Sequence, residues 1–381
     1  MNPAKLGTYV LLICAAPGFA NENRPGIPFG GTDFKQYYTT SRLLLEGNNP
    51  YDYERAGALQ RELGNRGDTQ VPYGPPTTLL PFLPMGWVDF LTAIQLQMGL
   101  NLFLLSVSCW LWGTVFLPKY PLVSLGVIAF WVPTWTLLGL GQVTPWILFG
   151  FTGWYFALRN GKPILAGALL NCVIIKPHLG LGLVAYAMVL GICRRQWSML
   201  ASFLVTLAVL VTLTFLIRSS VWNEYFASLE VSNPRKWANA TLDGWGKVQF
   251  GANFTYISLG LCLMFLYAVI YLAWTRPLQD KLGVLLLAMW LAASPYAFSY
   301  DFSLFLPAII LSLGQAVHRS HPLALLACIA WFSLSMIAYV CKGPWKEHDY
   351  FFFPLTGFFI TLLLTGLGER DPDVPLRNAN A

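Results

Sequence analysis

Between Asp89 and Glu224 the sequence contains no aspartate and no glutamate. Charge is scarce throughout, since Asp, Glu, Lys and Arg make up only 11% of 381 residues while 56% are hydrophobic. A soluble domain carries about a quarter charged residues, so that class is excluded and a polytopic membrane protein is expected. The carboxylate-free stretch also argues against an ion- or proton-coupled transporter, which relies on acids inside its spans as relays or coupling sites. A basic tract is missing too: the net charge of +6 is carried by Lys and Arg set singly or in pairs between apolar runs, which excludes a nucleic-acid partner. No CxxC pair occurs among the seven cysteines, most of which lie inside apolar segments, so disulfides and zinc sites are not expected. Internal repeats and low-complexity segments are absent.

What is present is a succession of apolar runs. Taking about 20 residues per crossing, the segments 6–20, 92–117, 121–139, 143–158, 162–175, 179–192, 197–217, 253–274, 281–294, 301–317, 322–341 and 350–367 give about twelve helices in a single transmembrane unit over 1–381. Residues 1–20 fit either a retained first helix or a cleaved signal peptide, and both put residue 21 outside. Lys119, Arg159, Lys162, Arg194, Arg195, Arg276 and Arg319 fall in inner connections, against Lys176, Lys342 and Lys346 in outer ones. That bias predicts both termini inside and a cell-membrane location.

The parity depends on residues 162–192. A single helix there would be about 46 Å long, too long for a bilayer core of about 30 Å without strong tilt. Two short helices meeting at Lys176-Pro177 fit better, because proline lacks a donor and disfavours helix at the residue before it. Two long external segments remain. In 21–91, Phe34, Tyr37, Tyr38, Ser41, Leu44 and Leu45 recur at helical spacing up to the terminator Gly47, which predicts an amphipathic helix over about 34–45 lying along the membrane surface. The 218–252 segment mixes Trp222, Arg235, Lys236, Trp237, Trp245 and Lys247.

With this topology Asp33, Gln142, Lys176, His178, Asp301 and His348 all fall at outer ends of segments, which predicts a shared outward-facing cavity. Each also has a structural reading: an ion pair for Lys176, an acid satisfying free amides at a helix start for Asp301, an N-cap for Asp33, and a polar edge for His178 and His348. His318 and His321 are three apart, in a short inner loop that does not suggest a metal site.

Gly31-Thr32-Asp33-Phe34 with Tyr37-Tyr38, then Leu44-Leu45-Glu46-Gly47-Asn48-Asn49-Pro50-Tyr51-Asp52, then Tyr73-Gly74-Pro75-Pro76-Thr77-Thr78-Leu79-Leu80 and Pro84, resemble the first outer loop of glycosyltransferase family 87. Gly141-Gln142, Ile175-Lys176-Pro177-His178 and Ser294-Pro295 resemble its later short motifs, in the same order. The resemblance implies an all-α, C-type glycosyltransferase (GT-C) fold. It implies an inverting enzyme with a polyprenyl-phosphate sugar as donor, typically the mannose derivative, and a glycolipid or glycan as acceptor on the outer face. It also implies that Asp33 is the catalytic base, with no metal or other cofactor; no DxD pair is present in that loop. The 218–252 segment carries no signature that identifies the acceptor. Transfer of a sugar from a phosphate needs a base at the acceptor hydroxyl and positive charge at the departing phosphate. Lys176 and His178 are expected at the phosphate, and Tyr37, Tyr38, Gln142, Arg235, Asp301 and His348 at the substrates. The competing readings are a lipid-linked glycan carrier, or flippase, without catalysis, and a structural subunit of an envelope assembly complex in which Asp33 is inert.

Overall fold

The computed structural model describes residues 33–365 apart from 66, 232–238, 277, 320–321 and 341–346. Its described residues form sixteen α-helices joined by short 3-10 helices, with no strand. The chain starts with α1 (Phe34–Leu45) and α2 (Tyr53–Glu62), then a 3-10 helix over Pro76–Trp87 and the long α3 (Phe90–Phe116). There follow α4 (Ser124–Phe130), α5 (Val132–Leu140), α6 (Thr144–Arg159), α7 (Pro163–Leu170), α8 (Pro177–Cys193) and α9 (Trp197–Ile217). The second half contains α10 (Val221–Val231), α11 (Leu242–Phe250), α12 (Phe254–Thr275), α13 (Asp280–Ala293), α14 (Leu306–Arg319), α15 (Pro322–Val340) and α16 (Phe352–Thr365).

The apolar runs of the sequence return as helices with nearly the expected boundaries; the run 6–20 lies outside the described residues. Among the described residues four helices are long and apolar enough to cross a membrane: Phe90–Phe116, Trp197–Ile217, Phe254–Thr275 and Ser299–His318. A fifth arises if α4 and α5, bent by 70° at Trp131, form one broken span. The other runs are shorter apolar helices. Val132-Pro133 explains the bend, because Pro133 has no N–H to give to a continuing helix. These apolar helices make the chain a membrane protein. On α9 and α12 the outward side chains are apolar and exposed, including Leu204, Val205, Leu216, Tyr256, Leu263 and Tyr267. Such a surface suits lipid contact. The Ser299–His318 span, by contrast, is mostly buried and packs in the middle of the helices.

Large aromatic side chains fill that middle. Trp112, Trp131, Trp154, Trp290 and Trp331 are fully enclosed. Trp112 Nε1 donates to Thr152 Oγ1 at 3.0 Å and Trp131 Nε1 to the Phe302 carbonyl at 3.1 Å, whereas the indole nitrogens of Trp290 and Trp331 have no hydrogen-bond partner among the described residues. Close helix approach is made by small residues, as is usual between membrane helices. At Gly167 on α7 a Cβ would lie 2.1 Å from the Met199 carbonyl oxygen of α9.

The 162–192 region breaks where proline dictates. After α7 the chain tightens into a 3-10 helix over Asn171–Ile175, Lys176 is extended at φ −123° and ψ 91°, and α8 starts at Pro177. The turn is sharp enough that a Cβ on Gly180 would meet the Val173 carbonyl oxygen at 2.2 Å.

Helix α1 has the expected limits. Nine of its twelve residues are buried, among them Thr39, Thr40 and Ser41 on its polar side. The 3-10 helix Pro76–Trp87 covers one face, with Tyr37 and Phe82 ring centroids 4.8 Å apart. On another face α2 seats Ala56 and Leu59 with Leu43 and Val71. The Pro76–Trp87 helix, α2 and the Gly141 turn together cover α1.

Candidate functional site

The turn between α5 and α6 organises the site. Gly141 ends α5 at φ +70°, a left-handed conformation that glycine adopts without strain. It also admits the neighbouring chain: a Cβ here would lie 2.7 Å from Phe34 Cβ and 2.9 Å from Ile94 Cδ1. The turn therefore rests directly on the start of α1, and its next residues point into two groups of charges.

The first group is Asp33 with Gln142. Asp33 immediately precedes α1 but makes no side-chain cap hydrogen bond to its free amides. Instead its Oδ2 accepts from Gln142 Nε2 at 2.5 Å. Gln142 is held in turn by α3, because Asn101 Nδ2 donates to its main-chain carbonyl at 2.7 Å.

The second group is Lys176 with Asp301 and Thr144. Lys176 Nζ lies 2.8 Å from Asp301 Oδ1 and 3.1 Å from Thr144 Oγ1. Thr144 closes the triangle by donating its hydroxyl to Asp301 Oδ1. Asp301 Oδ2 accepts from the Phe298 amide at 3.0 Å, at the start of the 3-10 helix Ser299–Phe305. One carboxylate thus serves both as helix-start acceptor and as counter-ion. The pair is buried, at 11% and 1% side-chain exposure, where an unpaired charge would be costly. The Tyr300 ring centroid lies 4.8 Å from the ammonium. The ion pair with Asp301 thus satisfies the Lys176 charge among apolar helices.

Aromatic rings join the two groups. Tyr37, Tyr296 and Tyr300 are each within electrostatic reach of both Asp33 and Asp301. His178 sets its ring edge-on to Tyr296 at 4.9 Å between centroids, and its Nε2 has no hydrogen-bond partner among the described residues. The Tyr73-Gly74 loop lies alongside: a Cβ on Gly74 would come within 3.2 Å of the Ile175 carbonyl oxygen.

Of the residues expected from sequence, Asp33, Tyr37, Gln142, Lys176, His178 and Asp301 are thus gathered around one turn. Tyr38 is not part of the gathering. Its hydroxyl donates to the Val88 carbonyl at 2.9 Å and its ring packs edge-on to Phe90, because position 38 follows Phe34 by one helical turn on the core side. Arg235 lies outside the described residues, as does the side chain of His348. Trp245, from the aromatic and basic mixture of 218–252, lies against Phe351 at 4.6 Å between ring centroids. Sequence reasoning missed Thr144, Asn101 and Gln97; the last two, buried on α3 with amides one turn apart, are a signal that composition alone could have raised.

No curated protein and no solved structure matches the chain. A family described as glycosyltransferase family 87 matches residues 73–299, an interval that holds Gln142, Thr144, Lys176 and His178 but neither Asp33 nor Asp301. The interval covers more than half of the chain, and together with the ordered residues of the turn and the lysine-proline break it establishes that the chain belongs to glycosyltransferase family 87.

Proposed function

We propose that this glycosyltransferase takes a sugar, most simply mannose, from a polyprenyl-phosphate donor and transfers it with inversion to a hydroxyl of a glycolipid or glycan on the outer face of the cell membrane. The C-type fold with about twelve spans is part of the same reading. Asp33 is the base: as the acceptor oxygen attacks the anomeric carbon, its proton passes to the carboxylate, and the bond from that carbon to the phosphate oxygen breaks, releasing polyprenyl phosphate. The observation that supports this most is the placement of Asp33. Its carboxylate leaves the helix amides uncapped and turns to the same short loop that anchors the Lys176–Asp301 pair.

On this reading the departing phosphate lies at Lys176 and His178. Asp301 and Thr144 take two of the three ammonium hydrogens, leaving one, and the Lys176–Asp301 pair is neutral as a unit, so the phosphate is bound by directed hydrogen bonds more than by a free cation. Gln142 Oε1, buried and without a partner among the described residues, takes a sugar hydroxyl. The reaction is written without metal or cofactor.

The test is Asp33→Asn. Asparagine keeps an oxygen for Gln142 Nε2 but cannot take the proton. Transfer of radiolabelled mannose from polyprenyl-phosphate mannose into membrane glycolipid should fall by about 100-fold or more, with thermal stability in detergent unchanged. Parent-like transfer by a well-folded variant would refute the base.

A further inference from the structure

Asp33 stands at the end of a buried file of amides. Gln97 and Asn101 lie one turn apart on α3, both completely enclosed, and Gln97 Nε2 donates to Asn101 Oδ1 at 3.2 Å. Asn101 Nδ2 donates to the Gln142 carbonyl at 2.7 Å, and Gln142 Nε2 donates to Asp33 Oδ2 at 2.5 Å. An ionised carboxylate only accepts, so the amide nitrogen of Gln142 must be the atom that faces Asp33. Apolar side chains would fill the same space without the cost of desolvating three amides. The file does not close a helix end either, since it runs from mid-helix on α3 across the α5–α6 turn to Asp33.

We infer that Gln142 is a positioning residue, which holds the Asp33 carboxylate in one orientation and in its ionised, proton-accepting form, and that Asn101, with Gln97 behind it, holds Gln142 in register. The catalytic meaning of this inference rests on Asp33 being the base; the physical content does not. A hydrogen bond donated to a carboxylate favours the charged form and lowers the pH at which it binds a proton. Among the described residues, the other ionisable groups around Asp33 are Lys35 and Tyr37 on its own helix, Tyr296 and Tyr300 from the 294–305 segment, and beyond them the Asp301–Lys176 pair, His178 and Tyr73. Helix α3 brings only the two amides. Gln142 is thus the neutral donor through which Asp33 can be altered without changing any charge in the site.

The probe is dicyclohexylcarbodiimide, which modifies protonated carboxyl groups within apolar surroundings and needs no substrate. Labelling of Asp33 is read by peptide mass spectrometry across a pH series in detergent-solubilised full-length protein. In Gln142→Leu the Asp33 midpoint should rise by about one pH unit, a tenfold change in labelling at fixed pH. Asn101→Leu keeps Gln142 and should give a smaller rise in the same direction; it also serves if Gln142→Leu does not fold. The acidic limb of the transfer rate should move with the Asp33 midpoint. An unmoved Asp33 midpoint in the folded variants would overturn the inference, leaving the base reading to the Asp33→Asn result. A moved midpoint with full transfer by Asp33→Asn would uphold the inference and refute the base.

Discussion

Lys176 and Asp301, 125 positions apart in the chain, meet at 2.8 Å with Thr144 bridging them. Removing one partner of such a buried pair leaves the other charge unpaired, at a cost of about 3–5 kcal/mol, whereas removing both costs much less. Lys176→Gln and Asp301→Asn should each lower the melting temperature sharply, and the double variant should recover part of the loss. Additive losses would show that the two are not coupled. The same set isolates the phosphate contact. Asp301→Asn retains the ammonium and should still bind polyprenyl-phosphate mannose, while the double variant should bind it at least tenfold more weakly; equal affinities would remove Lys176 from the donor site.

Gly141 and Gly47 give a matched comparison. Both have positive φ, at +70° and +73°, but a Cβ on Gly141 would strike Phe34 and Ile94 whereas one on Gly47 would meet nothing within 4 Å. Gly47→Ala should cost only the backbone strain of about 1 kcal/mol and leave transfer intact. Gly141→Ala should destabilise further and reduce transfer by at least tenfold, by pushing the turn away from α1. Equal effects in both assays would show that the contact at Phe34 is unimportant.

Arg218 ties the second polar segment to the first. Its Nε lies 2.8 Å from both carboxylate oxygens of Glu224, and its Nη1 donates to the Gly47 carbonyl at 2.7 Å. Tyr225 adds a hydrogen bond to the Tyr73 carbonyl at 3.2 Å. Arg218→Ala should loosen this contact by about 1–3 kcal/mol, seen as faster amide exchange in peptides spanning 47–53 and 221–231. Unchanged exchange in both would mean that the apolar contacts of Leu44, Tyr51, Leu79 and Val221 suffice.

The Lys and Arg bias predicts both termini inside and the 21–91 and 218–252 segments outside. Single cysteines introduced beside Arg194 and Arg235, in a background lacking the native ones, test this with an impermeant thiol reagent on intact cells. Labelling is expected near Arg235 and not near Arg194; the opposite pattern would invert the topology.

Much of the helical framework was legible from local pattern alone. The limits of α1 follow from apolar spacing ended by Gly47, and the break before α8 follows from Pro177, which acts on its own backbone and on Lys176. The membrane class follows from composition, because a chain so poor in charge cannot be kept soluble by its surface. What covers α1 was not legible: amphipathic spacing marks one apolar face, and only the packing of α2 and the Pro76–Trp87 helix shows that its threonines and serine are enclosed as well. Where an apolar run would be interrupted was also beyond local reading at Trp131, since the apolar length of 121–139 is that of one helix while the chain bends there by 70°.

The site divides in the same way. Sequence by itself determined which residues were unusual, because Asp33, Gln142, Lys176 and Asp301 stand out as polar groups in apolar surroundings. Only the tertiary structure decided their partners. Hydrogen bonds and ion pairs act over about 3 Å, and the chain brings Asp33 to Gln142 and Lys176 to Asp301 across more than a hundred intervening residues. Spacing along the sequence carries no record of such contacts; they exist because the α5–α6 turn, freed by Gly141, lies between α1 and the Lys176 break.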